Sequence, residues 1–426
     1  MQYAAYKRAQ RYLEALPQQV FAPYHVNPVL SLERTRRLLA AVGHPERGLR
    51  YVHVTGTSGK GSVTMMVHDM LAAAGKRVGA YFSPHVTTTT ERMLINGRLV
   101  SVADFLWAFA KVRPIIQRWK AHDRRYITSH FESLFAMSLL VFQKHRVAWV
   151  VLEVGCGGEF DATNVIPPPT VAVVTNIGLD HQELLGRTRT AIAKTKAGIF
   201  KRGSLAVSGE RDPNIQRILQ RVAARHGVPL TFIPPPRTPL PVRMLGQHQQ
   251  HNAAMAKAVA KHLKLSPAAI TKGLKSARLP ARFERVATHA ILDGAHNPDK
   301  LRALAQTVRV LDYQRVHVLF GVGEKKAVAA NLRALLPLAT HWTLTQASLA
   351  HPKPLAARRL ARALRKLQPR ARFTVYPHAN TALTAALRVQ RPGELLLITG
   401  SFYLAGELRE HWFPKRSILE KRTPFP

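Results

Sequence analysis

The chain has 426 residues, 46% of them hydrophobic, which is enough for two or three domains with buried cores. A single cysteine excludes an intrachain disulfide and a zinc site built from several thiolates. No apolar run approaches the roughly 18 residues needed to span a bilayer, and the N-terminus lacks a signal-like apolar segment. We therefore expect a cytoplasmic protein with no membrane association.

The formal charge of +39, from 63 Lys and Arg against 24 Asp and Glu, is the unusual feature of the composition. A field of this size attracts polyanions, and nucleic acid is the obvious candidate. However, the basic residues are spread along the chain, in segments such as 34–37, 358–372 and 415–422, and no nucleic-acid-binding motif accompanies them. We interpret most of them as solvated surface and treat RNA association as adventitious.

The first half of the chain alternates apolar strand-like runs with helical segments. The predicted strands are 51–54, 77–81, 148–154 and 170–175, and the predicted helices are 60–74 and 131–145. The run Ala148–Leu152 is apolar on both faces, as a buried parallel strand requires. This pattern predicts a doubly wound α/β domain with its ligand site at the carboxyl ends of the strands.

A glycine-rich turn joins the first of these strands to the first helix. Its residues are Gly56, Thr57, Ser58, Gly59, Lys60, Gly61 and Ser62. Glycines let backbone N–H groups turn toward an anion, Lys60 supplies charge for the β- and γ-phosphates of ATP, and Ser62 offers a hydroxyl to Mg²⁺. The spacing departs from G-x-x-x-x-G-K-[ST], and a plain turn with a surface lysine is the alternative. The flanking strand and helix favour nucleotide binding.

Further candidates follow at the ends of later strands. Glu153 precedes a glycine-rich loop and is either a Mg²⁺ ligand or a carboxylate paired with a surface cation; the glycines favour the metal. His181 ends the polar turn 175–181, but spacing alone does not make it a ligand, because Mg²⁺ prefers oxygen. Lys196 belongs to a predicted short helix at 191–201 with three lysines, which by themselves indicate a solvated face.

A second α/β unit restarts after residues 282–284. Its predicted strands are 289–292, 315–320, 341–345, 373–376 and 394–399, its helices are 299–311, 326–336, 354–367 and 380–389, and helices 247–263 and 267–277 precede it. The Pro-rich segment 233–241 is predicted to be a connecting loop. We place an N-terminal phosphate-binding domain at 1–284 and a smaller Rossmann-like domain at 289–426.

Polar turns end two strands of this second unit, at 293–298 and 399–403, with Pro298 suited to open a helix. Two α/β domains that face each other across phosphate chemistry suggest a ligase or a kinase that closes on its substrates.

Many ordered motifs then coincide with one family. They are Tyr12–Glu14, Leu32–Arg34, His53–Ser62, Ser83–His85, Glu91–Arg92, Phe131–Glu132, Leu152–Asn164, Thr175–His181, Lys196–Ile199, Gly246–Asn252, Arg282–Glu284, Asp293–Pro298 and Gly400–Gly406. With them the chain resembles the folylpolyglutamate synthases and bifunctional dihydrofolate/folylpolyglutamate synthases of the Mur-ligase superfamily. The resemblance implies a monomeric two-domain ligase that uses ATP and Mg²⁺. It implies addition of L-glutamate to dihydropteroate or a reduced folate through an acyl phosphate, with release of ADP and phosphate.

The resemblance also assigns roles by position. Ser62, Glu153 and His181 match metal ligands, Lys196 matches a lysine that is carbamylated in the superfamily, and Asn252, Arg282 and Asp293 match nucleotide contacts. The folate side is matched by Ser83, Pro84, His85, Glu91, Arg92, Phe131 and Glu132. His296 and Ser401 match the C-terminal side of the cleft, where glutamate and the acyl phosphate meet, and Lys60, Lys196 and His296 are the implied catalytic residues.

Three departures from the family pattern concern substrate preference. Glu159 stands where a basic residue is usual, Thr195 replaces an acidic neighbour of Lys196, and aspartates are missing around Lys325. Two alternatives stay open. One is another Mur-type amino-acid ligase, such as a peptidoglycan-precursor ligase; the other is a non-catalytic nucleic-acid-binding protein on a ligase scaffold.

Overall fold

A computed structural model describes residues 2–17, 29–324, 326–348 and 353–426. Within these ranges the chain forms two α/β units, each built on its own sheet. The predicted α/β class with two units is confirmed. The second sheet begins with a strand at Glu284, and the domain limits 1–284 and 289–426 stay a prediction.

The first sheet has eight strands in the order β4-β3-β2-β5-β1-β6-β7-β8. These are β1 Arg50–Thr55, β2 Val78–Tyr81, β3 Met93–Ile95, β4 Arg98–Leu99, β5 Trp149–Glu153, β6 Val171–Val174, β7 Leu205–Ser208 and β8 Leu230–Phe232. All pairs are parallel except β2/β3 and β3/β4. In register, Val54 lies beside both Glu153 and Val173, so β1, β5 and β6 end together.

Helices cover both faces of this sheet. They are α1 Gln2–Glu14, α2 Leu30–Ala41, α3 Lys60–Ala73, α4 Val102–His122, α5 His130–Lys144, α6 Gln182–Leu185, α7 Arg189–Ala197, α8 Pro213–Arg225, α9 Gln247–His262 and α10 Pro267–Ser276. Apolar side chains of α1, α4 and α5 form one core with the sheet, and those of α3, α9 and α10 form another on the opposite face. This burial on both faces explains why central strands such as β6 are apolar throughout.

The second sheet has six strands in the order β13-β12-β11-β14-β10-β9, of which only β9 is antiparallel. The strands are β9 Glu284–Ala287, β10 Ala290–Leu292, β11 Arg315–Phe320, β12 His341–Leu344, β13 Phe373–Val375 and β14 Glu394–Thr399. The helices are α11 Pro298–Arg309, α12 Val328–Leu335, α13 Ala357–Leu367, α14 Ala379–Val389, α15 Phe402–Arg409 and α16 Lys415–Lys421. Side chains of α11, α12 and α13 pack on one face, and those of α14 and α15 pack on the other.

The structure differs from the sequence predictions at a few boundaries. The lysine-bearing helix ends at Ala197, before Gly198. The helix predicted from residue 354 starts at Ala357, because Pro354 forms a β-bridge with Gly323 instead. The antiparallel strands β3 and β4 were not predicted, since each is too short to show an apolar period.

The C-terminal segment returns to the first unit. Ile418 and Leu419 of α16 enter the two cores of the first sheet. The carbonyl of Arg422 accepts a hydrogen bond from Leu99 N–H at 2.9 Å, and its guanidinium donates to the Leu99 carbonyl at 2.8 Å. The last residues therefore fasten the two units together. No helix in the described ranges is long and apolar enough to cross a bilayer.

Candidate active site

The glycine-rich turn lies where β1 ends and α3 begins. Gly56 and Gly59 have φ of +147° and +83°, values that side-chain-bearing residues rarely adopt. A Cβ on Gly56 would collide with the hydroxyl of Thr175, and a Cβ on Gly59 would collide with the amide oxygen of Asn252. Glycine is required at both positions because neighbouring segments press against the backbone.

The segment after β6 holds this turn in place. Asn176 accepts hydrogen bonds from Thr57 N–H at 3.0 Å and from Ser58 N–H at 2.8 Å. The hydroxyl of Thr175 donates to the Ser58 carbonyl at 2.5 Å. By contrast, Gly59 at the N-cap of α3 provides no side-chain cap. The first-turn N–H groups of α3 are therefore available to an anion, as a phosphate-binding helix requires.

Two lysines meet at the Gly56 carbonyl. Lys60 Nζ and Lys196 Nζ each donate a hydrogen bond to this oxygen at 3.0 Å. Burial, reinforced by the charge of Lys60, lowers the pKa of Lys196 to about 7. Lys196, which the sequence alone assigned to a solvated face, is in fact only 4% exposed. A large part of its amine is therefore uncharged near neutral pH.

Glu153 lies at the end of β5, directly beside the phosphate turn. Its carboxylate accepts a hydrogen bond from Ser83 N–H at 3.1 Å, and a Cβ on Gly61 would lie 3.3 Å from Glu153 Oε2. Burial raises the pKa of Glu153, although Lys60 opposes this shift. Ser62, which follows Gly61, is also buried. One hydroxyl and one carboxylate beside a phosphate site form a donor set that suits Mg²⁺, which takes its other ligands from phosphates and water.

His181 lies at the start of α6, with a left-handed backbone at φ +49°. Its backbone N–H donates to Asp180 Oδ1 at 3.1 Å. Burial lowers the pKa of His181, so the imidazole is available in its neutral form. Among the described residues, no three His, Cys, Asp or Glu side chains converge as a metal cage would.

The segment 83–92 is organised by the carboxylate of Glu91. This carboxylate accepts hydrogen bonds from the N–H groups of Val86, Thr87 and Thr88 at 2.9, 3.0 and 3.1 Å. The threonines of this segment also have structural partners: Thr89 N–H donates to the Tyr6 hydroxyl at 3.0 Å. The hydroxyls of Thr88 and Thr90 share a hydrogen bond of 3.1 Å, whereas the Thr89 hydroxyl is buried with no partner among the described residues.

Arg92 is the polar group of this segment that faces a possible ligand. Its Nε donates to His85 Nδ1 at 3.1 Å, while its Nη1 is buried with no hydrogen-bond partner in the described residues. Burial and the charge of Arg92 lower the pKa of His85 well below its usual value. A buried guanidinium with an unused donor suits a carboxylate ligand.

Phe131 and Glu132 lie in the first turn of α5, and their side chains have different partners. The ring of Phe131 packs edge-on against Tyr81, with centroids 5.7 Å apart. Both oxygens of Glu132 are already bonded to Arg34, at 2.7 and 3.0 Å, and one of them also accepts from Ser129 N–H. Glu132 therefore fixes the start of α5 and has no free oxygen for a ligand.

The second unit supplies the opposite wall. Asp293 accepts hydrogen bonds from Phe283 N–H at 2.7 Å and Ala295 N–H at 2.8 Å, which shapes the turn that carries His296. The His296 ring stacks edge-on against Phe402, with centroids 5.5 Å apart, and Arg282 lies over the same Phe402 ring.

Two other predicted residues serve local structure as well. Ser401 caps α15 by accepting from Tyr403 N–H at 3.2 Å. The amide of Asn252 donates to Gln249 at 3.0 Å while its oxygen faces Gly59.

A small cleft with a cavity volume of about 40 Å³ lies beside the phosphate turn. Its lining includes Gly61, Ser83, Pro84, His85, Glu91, Glu153 and Arg282. Pro424 of the C-terminal segment also lines it, which no sequence pattern indicated. One cavity thus brings together part of the predicted site, namely Gly61, Glu153, Arg282, Glu91 and the folate-side residues 83–85. Lys325 lies outside the described residues.

Sequence reasoning missed a charged group that lies across this cleft. Burial raises the pKa of Asp180, but His181, Lys300 and Lys326 outweigh that effect and lower it to about 2. Asp180 belongs to the first unit and the two lysines to the second. The only signal was proximity in sequence, since Asp180 lies within the polar turn 175–181 and Lys300 comes two residues after the polar turn 293–298.

Comparison with known proteins gives concordant results. Residues 54–234 match the Mur ligase middle domain, and residues 281–402 match the Mur ligase glutamate ligase domain. The folylpolyglutamate synthase of Lacticaseibacillus casei is 34% identical over 408 residues, which cover 88% of this chain and 93% of that protein. A dihydrofolate synthase/folylpolyglutamate synthase of Bacillus subtilis is 30% identical, covering 89% and 94%.

Solved structures agree. Mycobacterium tuberculosis folylpolyglutamate synthase complexed with ADP has a TM-score of 0.88 at 28% identity, covering 97% of this chain and 100% of that chain. E. coli FolC in complex with DHPP and ADP has a TM-score of 0.83 at 28% identity, covering 97% and 98%. A bifunctional folylpolyglutamate synthase/dihydrofolate synthase with Mn, AMPPNP and L-glutamate bound has a TM-score of 0.80 at 29% identity, covering 95% and 97%.

Proposed function

The chain belongs to the folylpolyglutamate synthase family of Mur-type ligases, and we propose that Lys60, Glu153 and Lys196 form the reacting centre of its ATP-dependent glutamate ligation to folates. One observation supports this proposal above all: the side chains of both lysines donate hydrogen bonds to the Gly56 carbonyl, and Glu153 lies beside the same turn. A scaffold that only bound nucleic acid would have no use for this buried arrangement. A peptidoglycan-precursor ligase is disfavoured because the high-coverage relatives act on folates.

The reaction proceeds in two steps. A carboxylate oxygen of the pteroate or folate attacks the γ-phosphorus of ATP, and the bond to the bridging oxygen breaks, so that ADP leaves with the electron pair. The glutamate amine then attacks the acyl carbon, the carbon–oxygen bond to phosphate breaks, and the amine proton passes to a base. Lys60 and the N–H groups of α3 bind the phosphate oxygens and offset their growing charge. Mg²⁺ bound by Ser62 and Glu153, with His181 nearby, would supply further positive charge.

We assign the acid substrate to the side of the cleft formed by residues 83–92. The unused donor of Arg92 is suited to a substrate carboxylate, and the face of Phe131 is suited to a flat ring system. Asp293, His296 and Ser401 would bind ribose, glutamate and the acyl phosphate from the second unit. Because one chain supplies both walls, we expect a monomer, and we place it in the cytoplasm, where ATP and folates are available.

The test is a substrate panel with purified protein, ATP and Mg²⁺. ADP release should require L-glutamate together with dihydropteroate or tetrahydrofolate, and product masses will show how many glutamates are added. Release of ADP without dependence on either acceptor would contradict the proposal. Product masses also separate dihydrofolate synthesis from polyglutamylation.

Lys196→Ala is expected to lower turnover by about 100-fold, as loss of one group that stabilises the transition state does. The lowered pKa of about 7 leaves the Lys196 amine uncharged above neutral pH, so its carbamylation by CO₂ should increase as the pH rises through this value. A carbamate would present oxygen ligands, which suit Mg²⁺. With ¹³C-labelled bicarbonate, the wild type should show a carbamate NMR signal that Lys196→Ala lacks.

Two controls accompany the Lys196 experiment. A small added carboxylate should partly restore the activity of Lys196→Ala, because it replaces the missing oxygens. Lys194→Ala removes a neighbouring lysine that is exposed on the same helix and should behave as wild type. A wild-type protein without a carbamate signal at pH 8 would contradict the modification.

The charge of the chain supports a second proposal, which concerns a partner and is separate from catalysis. Residues 325–393 contain no Asp or Glu, while Lys and Arg recur throughout. Within this segment α13 exposes Arg358, Arg362 and Arg365 to solvent and buries Leu360 and Leu364 in the core. The apolar face is not free to enter a membrane, so we propose that the exposed face binds the phosphate backbone of RNA.

Anisotropy of a labelled 20-nucleotide RNA tests this partner. Binding should weaken steeply between 50 and 200 mM salt, and a variant with Arg358, Arg362 and Arg365 changed to Glu should bind at least about tenfold more weakly. The matched control carries the same changes at Arg217, Arg221 and Arg225, which are exposed on α8. Equal weakening by both variants, or preferential binding of anionic vesicles, would contradict the proposal.

A further inference from the structure

Lys300 occupies an unusual position for a lysine. It lies in the first turn of α11, directly after the turn that carries His296, and its Nζ is 3.5 Å from His296 Nε2. Its backbone N–H donates to the Asn297 side chain at 2.9 Å, which fixes the turn. The N-terminal end of a helix is positive, so an ammonium group there is disfavoured by the helix dipole.

The charged groups around Lys300 add to the electrostatic cost of placing an ammonium group at this position. Lys60, Arg282 and Lys326 all lie within electrostatic range and repel its charge, whereas Asp180 attracts it. No carboxylate comes within the 4.0 Å of an ion pair with Lys300 in the described part of the chain. Burial lowers the pKa of Lys300 to about 8. The attraction of Asp180 therefore only partly offsets the burial of Lys300 and the repulsion from the other cations around it.

We propose that Lys300 binds the phosphoryl group that passes from ATP to the substrate carboxylate, from the side opposite Lys60. This inference rests on the proposed function. The geometry favours this position, because the Lys300 Nζ lies 3.5 Å from Nε2 of His296, on the turn that Asp293 shapes at the end of β10. The charge of Lys60 in the phosphate turn also acts on Lys300. During transfer, negative charge is spread over three equatorial oxygens, and cations placed on both sides neutralise it.

The proposed contact also gives the second unit a role in phosphoryl transfer. Lys60 and Asp180 belong to the first unit, while Lys300 begins the first helix after β10. A trianionic group between the two units would be attracted by Lys300 and Lys60 together. Binding of ATP would therefore draw the walls of the cleft toward each other and exclude water from the reacting phosphate.

Steady-state kinetics of Lys300→Met test the proposal, because methionine keeps the side-chain length and removes the charge. We expect kcat to fall about 10- to 100-fold while the KM for glutamate changes less than about threefold. Lys300→Arg should recover part of kcat. Arg302→Met is the matched control, since Arg302 is exposed on the same helix and pairs only with Asp299 there.

Two results would overturn the assignment. One is an unchanged kcat in Lys300→Met. The other is an effect confined to the KM for glutamate, which would indicate that Lys300 binds the amino acid instead. Failure of the wild type itself to release ADP in the presence of both acceptors would instead count against the proposed function.

Thermal unfolding of the ligand-free protein distinguishes a ligand-binding role of Lys300 from a structural role. Removing an only partly compensated cation should leave the Tm of ligand-free Lys300→Met equal to or above that of the wild type, whereas a structural lysine would lower it. The wild type should gain more in Tm from added ATP than the variant does, because a ligand stabilises in proportion to its affinity. A lower Tm for the ligand-free variant, or an equal gain from ATP, would contradict the proposal.

Discussion

Lys60→Ala should lower ATP-dependent turnover by at least about 100-fold and leave the fold intact. The Lys60 ammonium lies at the start of α3, where it donates to the Gly56 carbonyl at 3.0 Å, so it is positioned beside the phosphates that the helix N-terminus attracts. In the free protein this single partly buried hydrogen bond contributes only about 0.5–1.5 kcal/mol to stability. Turnover is measured as ADP release, and the fold is checked by thermal unfolding.

The matched control is Lys76→Ala, because Lys76 is exposed shortly after the same helix ends. It should behave as wild type in both measurements. Removing Lys60 also removes a charge that helps to lower the pKa of Lys196, so in Lys60→Ala the carbamate signal should appear only at a higher pH than in the wild type. Undiminished ADP release by Lys60→Ala would show that the glycine-rich turn does not bind the reacting phosphates.

Arg409→Met should lower the free energy of unfolding by about 3–5 kcal/mol, the cost of breaking a buried ion pair from one side. Arg409 is fully buried and donates three hydrogen bonds of 2.8–3.0 Å to Glu284. It also donates to the Thr87 hydroxyl at 3.2 Å and to the Pro424 carbonyl. One guanidinium therefore joins the second unit, the folate-side segment and the C-terminal segment.

Denaturant unfolding measures the free energy of unfolding that Arg409→Met loses. Two further variants test whether the ion pair is the cause. Arg416→Met removes an exposed i,i+4 pair with Glu420 and should change stability by no more than about 0.5 kcal/mol. Combining Arg409→Met with Glu284→Gln should recover part of the loss, since no buried carboxylate is then left unpaired. Additive losses in the double variant would argue against the ion pair as the cause.

Arg409→Met should also weaken the binding of the folate substrate. Because Thr87 and Glu91 belong to the folate-side segment, release of Arg409 should raise the KM for the folate substrate more than the KM for ATP. An equal rise in both constants would indicate general loosening of the protein.

Local chemistry was sufficient to predict much of the site. Glycines at 56 and 59 and the apolar runs around them predicted a phosphate turn at a strand end, and φ values of +147° and +83° explain why glycine is needed there. Parallel strands that end in register also brought Glu153 and Thr175 to that turn, as the alternating pattern implied.

Other assignments depended on contacts between distant segments. Glu132 lies in a motif of the folate side, yet its oxygens are used by Arg34, almost 100 residues earlier in the chain. Lys196 shares its helix with one other lysine, and only packing against the phosphate turn distinguishes it from Lys194, which stays exposed. No periodicity reveals which of several similar side chains a distant element will cover.

The sequence by itself determined the α/β class, the order of most elements, the phosphate turn and the family, because these depend on local conformational preference and on the short-range period of apolar residues. Tertiary structure alone decided which charges come together and which segment lines the cavity: Asp180 interacts with Lys300, Arg409 pairs with Glu284, and Pro424 forms part of the cavity wall. The physical reason is that burial and electrostatic interaction depend on distance in space, which the separation of residues along the chain does not specify.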